Sequence, residues 1–263
     1  MLQKVHILPI FALLLPNMTS DKILAVIPAR YASTRFEGKP LTDIAGKTMI
    51  QRVYEQVKQS HANMVVVATD DIRILEHIHS WGGNAVMTKK EHPSGTDRCA
   101  EVAALYPEFN CILNIQGDEP LIHPDAINEL IKTLQNPNCD IATAYTHFED
   151  VETLFSVSEA KLVTDKHGKV LYFSRNVIPY LRNIPQQEWL SHYQYKKHVG
   201  IYGFRRNVLL EVADIPPSIL EKAEFLEQLR WLENGYQIYT FYTPYDVIGV
   251  DTPDDVAKIL EKL

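Results

Sequence analysis

Three cations fall within ten residues of one another, Arg30, Arg35 and Lys39, in the run Pro28-Ala29-Arg30-Tyr31-Ala32-Ser33-Thr34-Arg35-Phe36-Glu37-Gly38-Lys39-Pro40. Arginine offers forked donors that match phosphate oxygens, and Ser33, Thr34 and free backbone N–H groups add neutral ones. Three positive charges suit a triphosphate. Far along the chain two carboxylates, Asp118 and Asp251, each follow an apolar run, and that before Asp118 reads as a strand that places it at a sheet edge. There a divalent metal would bridge a carboxylate to phosphate oxygens. The competing reading is structural: the cations would be a solvated loop, and each aspartate, one residue before Glu119-Pro120 or Thr252-Pro253, would cap a helix.

The elements that must position these groups are legible from periodicity. Ile23 to Ile27 is a buried strand leading into the cationic loop, and Thr48 to Lys58 carries Ile50, Val53, Tyr54 and Val57 on one helical face. The alternation repeats, with strands at 64–68, 85–87 and 111–115 and helices at 71–81, 97–105 and 124–134. Such alternation predicts a mostly parallel α/β sheet covered on both faces, and ligands of such sheets bind beyond the carboxyl ends of the strands, where the cationic loop lies. After residue 140 the pattern turns antiparallel. Strands are expected at 141–145, 160–164, 170–173 and 198–204, with a hairpin turn at Asp165-Lys166-His167-Gly168, as an inserted antiparallel sub-domain over about 140–205. One helix at 221–233, a strand at 238–242 and a helix from Pro253 complete the chain.

Composition narrows the class. With 263 residues, 46% of them hydrophobic, the chain buries a full core, and a net charge of −7 provides no basic field for a long nucleic acid. Cys99, Cys111 and Cys139 lack C-x-x-C spacing and are odd in number, which fits a reducing cytoplasm better than a disulfide framework or a thiolate zinc site. Residues 1–22 read as an N-terminal extension outside the fold. Its apolar stretch, Val5 to Leu15, is too short to span a bilayer, is interrupted by Pro9, and lacks a convincing cleavage site before Asp21. No stable membrane association is expected.

The loop matches neither G-x-x-x-x-G-K-[ST] nor G-x-G-x-x-G, which weakens the ATPase and dinucleotide readings. Ile27 to Leu41 instead resembles the N-terminal signature of the 3-deoxy-manno-octulosonate (KDO) cytidylyltransferases, I-P-A-R-Y-x-S-T-R-x-x-G-K-P-L, with Phe36-Glu37 where Leu-Pro is usual. The resemblance continues in order through Met87-Thr88, His92-x-Ser94-Gly95-Thr96-Asp97-Arg98, Asn114-Ile115-Gln116-Gly117-Asp118-Glu119-Pro120 and Tyr172-Phe173-Ser174-Arg175. It ends with His198-x-Gly200-Ile201-Tyr202-Gly203, Leu226-Glu227-Gln228-Leu229-Arg230 and Gly249-Val250-Asp251-Thr252-Pro253. Sialic acid enzymes carry a more glycine-rich first loop.

The resemblance implies a Rossmann-like fold of the nucleotide-diphospho-sugar transferase type, CTP and KDO as substrates, and a homodimer. It implies CTP contacts from Arg30, Ser33, Arg35, Lys39, Ser94, Gly95, Arg98 and Asp118, with Asp118 and Asp251 as magnesium ligands. For the acid sugar it implies Gln116, Arg175, His198, Tyr202, Glu224 and Gln228. Arg175 and His198 would supply donors to the carboxylate, and the others would meet hydroxyls. Glu224 and Gln228, four apart on one predicted helix, would share a face, although a solvated stripe has the same spacing. His198 and Tyr202, four apart in a strand, also share a face, although a core histidine and a packing tyrosine would look alike. A chain beginning at Met18 is expected to be as soluble and as active as the full chain, measured by pyrophosphate release. Recovery of native protein from a periplasm, processed near Ser20, would overturn this.

Overall fold

The computed structural model describes residues 21–32, 35–245 and 248–263, so most of the N-terminal extension, with Ser33 and Thr34, lies outside the described residues. β1 (Ile23–Ala29) has five consecutive residues, Leu24 to Ile27 among them, with side chains essentially removed from water, as a strand covered on both faces must. It pairs in parallel with β4 (Met64–Thr69) on one side and β6 (Cys111–Asn114) on the other, and β5 (Ala85–Met87) extends the sheet in parallel beyond β4. A two-residue hairpin of β2 (Asp43–Ile44) and β3 (Lys47–Thr48) lies apart from this sheet.

The remaining strands are β7 (Ile141–His147), β8 (Lys161–Thr164), β9 (Val170–Ser174), β10 (Lys196–Arg205) and β11 (Ile238–Tyr242). The main sheet runs β11-β7-β10-β6-β1-β4-β5, with β10 antiparallel to both its neighbours and β11 parallel to β7. The expected antiparallel strands are therefore present, but β7 and β10 lie within the central sheet. Only the β8–β9 hairpin branches off, through β8 against the start of β10. The turn at Asp165–Gly168 is as expected, with Gly168 at φ +82° closing it.

Helices cover both faces. α1 (Met49–Lys58), α2 (Ile72–Ser80) and α4 (Pro124–Leu134) put Ile50, Val53, Ile74, Ile127 and Leu130 against one face. α3 (Gly95–Leu105), α7 (Arg206–Ala213) and α9 (Gln228–Glu233) put Cys99, Val102, Leu209, Leu229 and Trp231 against the other. Each fully buried aliphatic side chain contributes about 1.5–3 kcal/mol, which makes this two-sided burial the main source of order. α5 (Val151–Phe155) and α6 (Trp189–His192) belong to a satellite core of Phe148, Leu154, Val177, Trp189 and Tyr195 beneath the excursion between β7 and β10. α10 (Pro253–Leu260) closes the chain over Ile44 and Val250.

The expected single helix at 221–233 is not formed. α8 (Ile219–Glu224) stops at Phe225, whose backbone is left-handed at φ 52°, and α9 starts afresh at Gln228. Helical periodicity across this stretch was real on each side of the break, but propensity could not reveal a break at a non-glycine residue. The three cysteines are free and buried, and burial pushes the Cys111 thiol up to about 11 and that of Cys139 up to about 12. Among the described residues no helix is long and apolar enough to cross a membrane.

Lys161 is completely buried, and its ammonium donates to the carbonyls of Ser156 at 2.5 Å, Glu159 at 2.9 Å and Arg175 at 3.0 Å. All three of its protons are therefore used to fix the bend before β8 against the end of β9. Lys161→Met relieves the desolvation of the charge but leaves three acceptors without it. The expected result is a loss of about 1–3 kcal/mol in urea denaturation at neutral pH, and an unchanged midpoint would show that water replaces the ammonium without cost.

Candidate active site

The carboxyl ends of β1 and β6 and the amino end of α3 enclose a cleft of about 230 Å³. Its lining brings together Arg30, Arg35 and Lys39 from the first loop, Ser94, Gly95 and Arg98 from α3, Gln116 and Asp118 after β6, and Asp251 near the C-terminus. These are the residues expected to meet the nucleotide, apart from Ser33, which lies outside the described residues, with Asp251 added from the expected metal pair and Gln116 from the acid-sugar set. Their convergence depends on a close approach. A Cβ on Gly117 would stand 2.7 Å from the carbonyl oxygen of Pro28, so only glycine lets the β6 turn lie against the β1 turn.

Neither aspartate caps a helix, which removes the structural reading for both. α4 is capped by His123, and α10 by Thr252 in a capping box with Asp255. The two carboxylates are joined instead by the loop cations. Lys39 Nζ donates to Asp118 Oδ2 at 2.6 Å and to the carbonyl of Val250 at 2.8 Å, and lies 3.7 Å from Asp251 Oδ1. Arg35 binds both oxygens of Asp251, at 3.0 and 3.1 Å. The backbone N–H of Val250 donates to the carbonyl of Asp118 at 2.9 Å, fixing the two turns side by side. Arg30 is exposed at the cleft with no ion pair among the described residues. Beside Asp118, Glu119 is buried with its Oε2 lacking a hydrogen-bond partner; burial first, and the neighbouring Asp118 charge second, push its carboxyl well above the usual range.

No group of three or more His, Cys, Asp or Glu side chains among the described residues is arranged to hold a metal. A magnesium ion shared with a phosphate chain requires less than that. It is commonly held by one or two carboxylates, with substrate oxygens and water completing the shell, so the Asp118–Asp251 pair fits such an ion.

The residues expected to meet the acid sugar are only partly assembled as the sequence suggested. Gln116 Nε2 lies 3.4 Å from the Gly200 carbonyl on β10, and on the same strand the rings of His198 and Tyr202 stand 5.5 Å apart, with an irregularity in the β10–β7 register between Val199 and Tyr202. Tyr202 packs edge-on against Trp231, and Gln228 is buried at the start of α9. Glu224 is separated from Gln228 by the helix break at Phe225, so the expected shared helical face does not exist. Its carboxylate accepts from Ser174 Oγ and the Arg175 N–H, both at 2.8 Å.

Arg175 departs from the expected carboxylate contact. Its guanidinium donates to the backbone carbonyls of Glu224 at 2.7 Å, Val157 at 2.9 Å, Ser158 at 3.2 Å and Phe225 at 3.2 Å, and it lies outside the cleft lining. As placed, it ties the excursion to the α8–α9 break. His198 also differs from a cationic donor. Thr143 Oγ1 stands 2.9 Å from the Ile201 carbonyl, which only accepts, so the hydroxyl gives its proton there and accepts from His198 Nε2 at 2.9 Å. Burial lowers its pKa to about 4, which keeps the ring neutral at pH 7, and with the proton on Nε2 its Nδ1 is an acceptor suited to a hydroxyl.

Sequence reasoning missed Glu227, whose carboxylate accepts from Thr96 Oγ1 at 2.8 Å and joins the turn at the start of α3 to the α8–α9 break. The available signal was its place inside the Leu226-Glu227-Gln228 motif.

A mostly parallel α/β sheet with a cationic loop and two carboxylates at its carboxyl edge defines a nucleotidyltransferase. The comparisons make the class specific: residues 24–238 match the family model described as "Cytidylyltransferase", and the chain belongs to that family. It is 50% identical over 244 residues to the 3-deoxy-manno-octulosonate cytidylyltransferase of Parabacteroides distasonis, covering 91% of this chain and 97% of that one. It is 48% identical over 240 residues to the enzyme of the same name from Cytophaga hutchinsonii, covering 90% and 96%. Among solved structures, a CMP:2-keto-3-deoxy-manno-octonic acid synthetase complexed with CTP superposes with a TM-score of 0.86 at 41% identity, over 92% of this chain and 98% of that chain.

The depressed His198 pKa has a direction. The folded state resists protonation that the unfolded chain accepts near 6.5, so this contribution to stability is complete above pH 6.5 and is lost as pH falls toward about 4. Urea denaturation at pH 7 and pH 4.5 is expected to show a larger acid loss in the wild type than in His198→Gln. Equal acid losses would mean that His198 titrates normally.

Proposed function

We propose that this chain transfers the CMP group of CTP to KDO, giving CMP-KDO and pyrophosphate. The observation that carries this reading is the convergence of the first-loop cations, the Ser94-Gly95 turn and the Asp118–Asp251 pair on one cleft, in a chain about half identical to enzymes of that name. The anomeric hydroxyl at C2 of KDO attacks the α-phosphorus; the sugar O–P bond forms, the bond to the β-phosphate oxygen breaks, and the hydroxyl proton is released. Such transfers depend chiefly on alignment and on neutralising spread negative charge.

Arg30, Arg35 and Lys39 neutralise the leaving pyrophosphate. Arg35 and Lys39 are oriented by ion pairs to Asp251 and Asp118, which aims fixed positive charge into the cleft. Ser94, Gly95 and Arg98 form the opposite wall and, with Ser33, hold the rest of the nucleotide. Asp118 and Asp251 would hold magnesium, which supplies charge neutralisation at the α-phosphate and lowers the pKa of the attacking hydroxyl. Gln116, His198, Tyr202 and Gln228 take the acid sugar, with Glu227 beside them and His198 Nδ1 accepting from a sugar hydroxyl. Glu224 and Arg175 shape that pocket from its rim.

The same reading includes a catalytic body over 23–263, whose segment at about 140–205 serves the sugar and a homodimer contact. It also includes a cytoplasmic setting, supported by three free, buried cysteines. Pyrophosphate release with CTP and, in turn, KDO, 8-amino-KDO and N-acetylneuraminate tests the acceptor; turnover that ignores KDO would overturn the assignment. Asp118→Asn and Asp251→Asn are each expected to lower magnesium-dependent turnover by at least about a hundredfold with the fold retained. Near-normal rates in both folded variants would remove the pair from the chemistry.

A further inference from the structure

β4 ends at Thr69, and two carboxylates follow in succession, Asp70 and Asp71. They have different tasks. Asp71 caps α2, accepting from the Arg73 N–H at 3.0 Å and pairing with the Arg73 guanidinium at 2.7 Å. Asp70 takes no part in that cap. It turns toward α3, where its Oδ2 accepts from Arg98 Nη2 at 3.0 Å, with the two side chains only 9% and 5% exposed.

The other arm of the same guanidinium, Nη1, donates to Thr88 Oγ1 at 2.5 Å, and the Thr88 hydroxyl donates in turn to the Thr69 carbonyl at 3.1 Å. Thr88 follows β5, the neighbour of β4, so the register of two parallel strands places both acceptors beneath one arginine. A guanidinium this buried requires a counter-charge, and an arginine gripped at both arms has one orientation rather than many. Arg98 also lines the cleft.

We infer that Asp70, with Thr88 behind it, is a positioning residue for nucleotide binding. It holds Arg98 singly oriented on the α3 wall, and acts on the nucleotide only through that guanidinium. This rests on the reading of the cleft as a CTP site. Nothing in the motif of Arg98 itself points to Asp70, because a carboxylate after a strand reads as a helix cap, the task that Asp71 performs.

The test measures CTP binding by calorimetry without acceptor, beside steady-state kinetics with KDO varied. Asp70→Asn keeps the shape but removes the charge, and is expected to raise the CTP dissociation constant roughly tenfold. The KM for KDO and the kcat at saturating CTP should stay within about twofold, because only nucleotide binding is touched. Thr88→Val leaves the ion pair intact, so it should fold even where Asp70→Asn does not, and is expected to weaken CTP by about threefold or more. In an Arg98→Met background the further change Asp70→Asn should leave CTP affinity unaltered. A CTP dissociation constant unchanged in folded Asp70→Asn, or in Thr88→Val where the first does not fold, overturns the proposal, as does an equal loss in the dependence on KDO. If the wild type itself fails to bind CTP, the cytidylyltransferase reading falls, and the role of Asp70 falls with it; a wild type that binds and turns over isolates the fault to Asp70.

Discussion

One ammonium group holds the site together. Lys39 Nζ contacts Asp118, the Val250 carbonyl and Asp251, and so joins three segments separated by 79 and 211 residues of chain. Two carboxylates that share one ammonium would repel each other without a cation between them. The Arg35–Asp251 pair is too exposed to add much to global stability, since ion pairs open to solvent typically contribute about 0–1 kcal/mol, whereas the Lys39–Asp118 pair is partly buried. What they provide is arrangement: the acidic groups and the loop cations are held in register by their own contacts.

That arrangement depends on the sheet in a definite way. β1 and β6 are parallel neighbours, so their carboxyl ends deliver the cationic loop and the Asp118 turn to the same edge. Gly117 lets the turns touch, and α3 closes the cleft from the amino end with a capping box at Ser94 and Asp97. The charged residues thus occupy positions that backbone packing has already fixed. A buried strand such as β1 tolerates no slip, because moving it by one residue would exchange its two covered faces.

The half of the site assigned to the acid sugar is built on different physics. β10 runs antiparallel between β7 and β6 and carries His198 and Tyr202 on one face, beside Trp231 and Phe173. Here burial, rather than charge, sets chemistry: His198 is kept neutral, and the Tyr202 hydroxyl is held far from ionisation by burial first and by Glu227 second. Arg175 and the buried Lys161 spend their donors on backbone carbonyls to fix the excursion between β7 and β10.

Residue order by itself determined a good deal. Apolar runs and helical faces marked nearly every strand and major helix of the parallel half, and the Arg30–Lys39 loop fell at the strand end where such sheets bind ligands. It could do so because hydrophobic periodicity and strand-end chemistry are local properties, written within ten or so residues. The short hairpin of β2 and β3 and the helices α5 and α7 carried too weak a pattern to be read. Only the tertiary structure decided the rest. That Lys39 would bridge Asp118 and Asp251, that the helix across Phe225 would break, that Arg175 would turn to carbonyls and that Asp70 rather than its neighbour would hold Arg98 are all outcomes of contacts between distant segments. Each of these groups has several partners of nearly equal intrinsic appeal, and the choice among them is made by which one the packed sheet brings within about 3 Å.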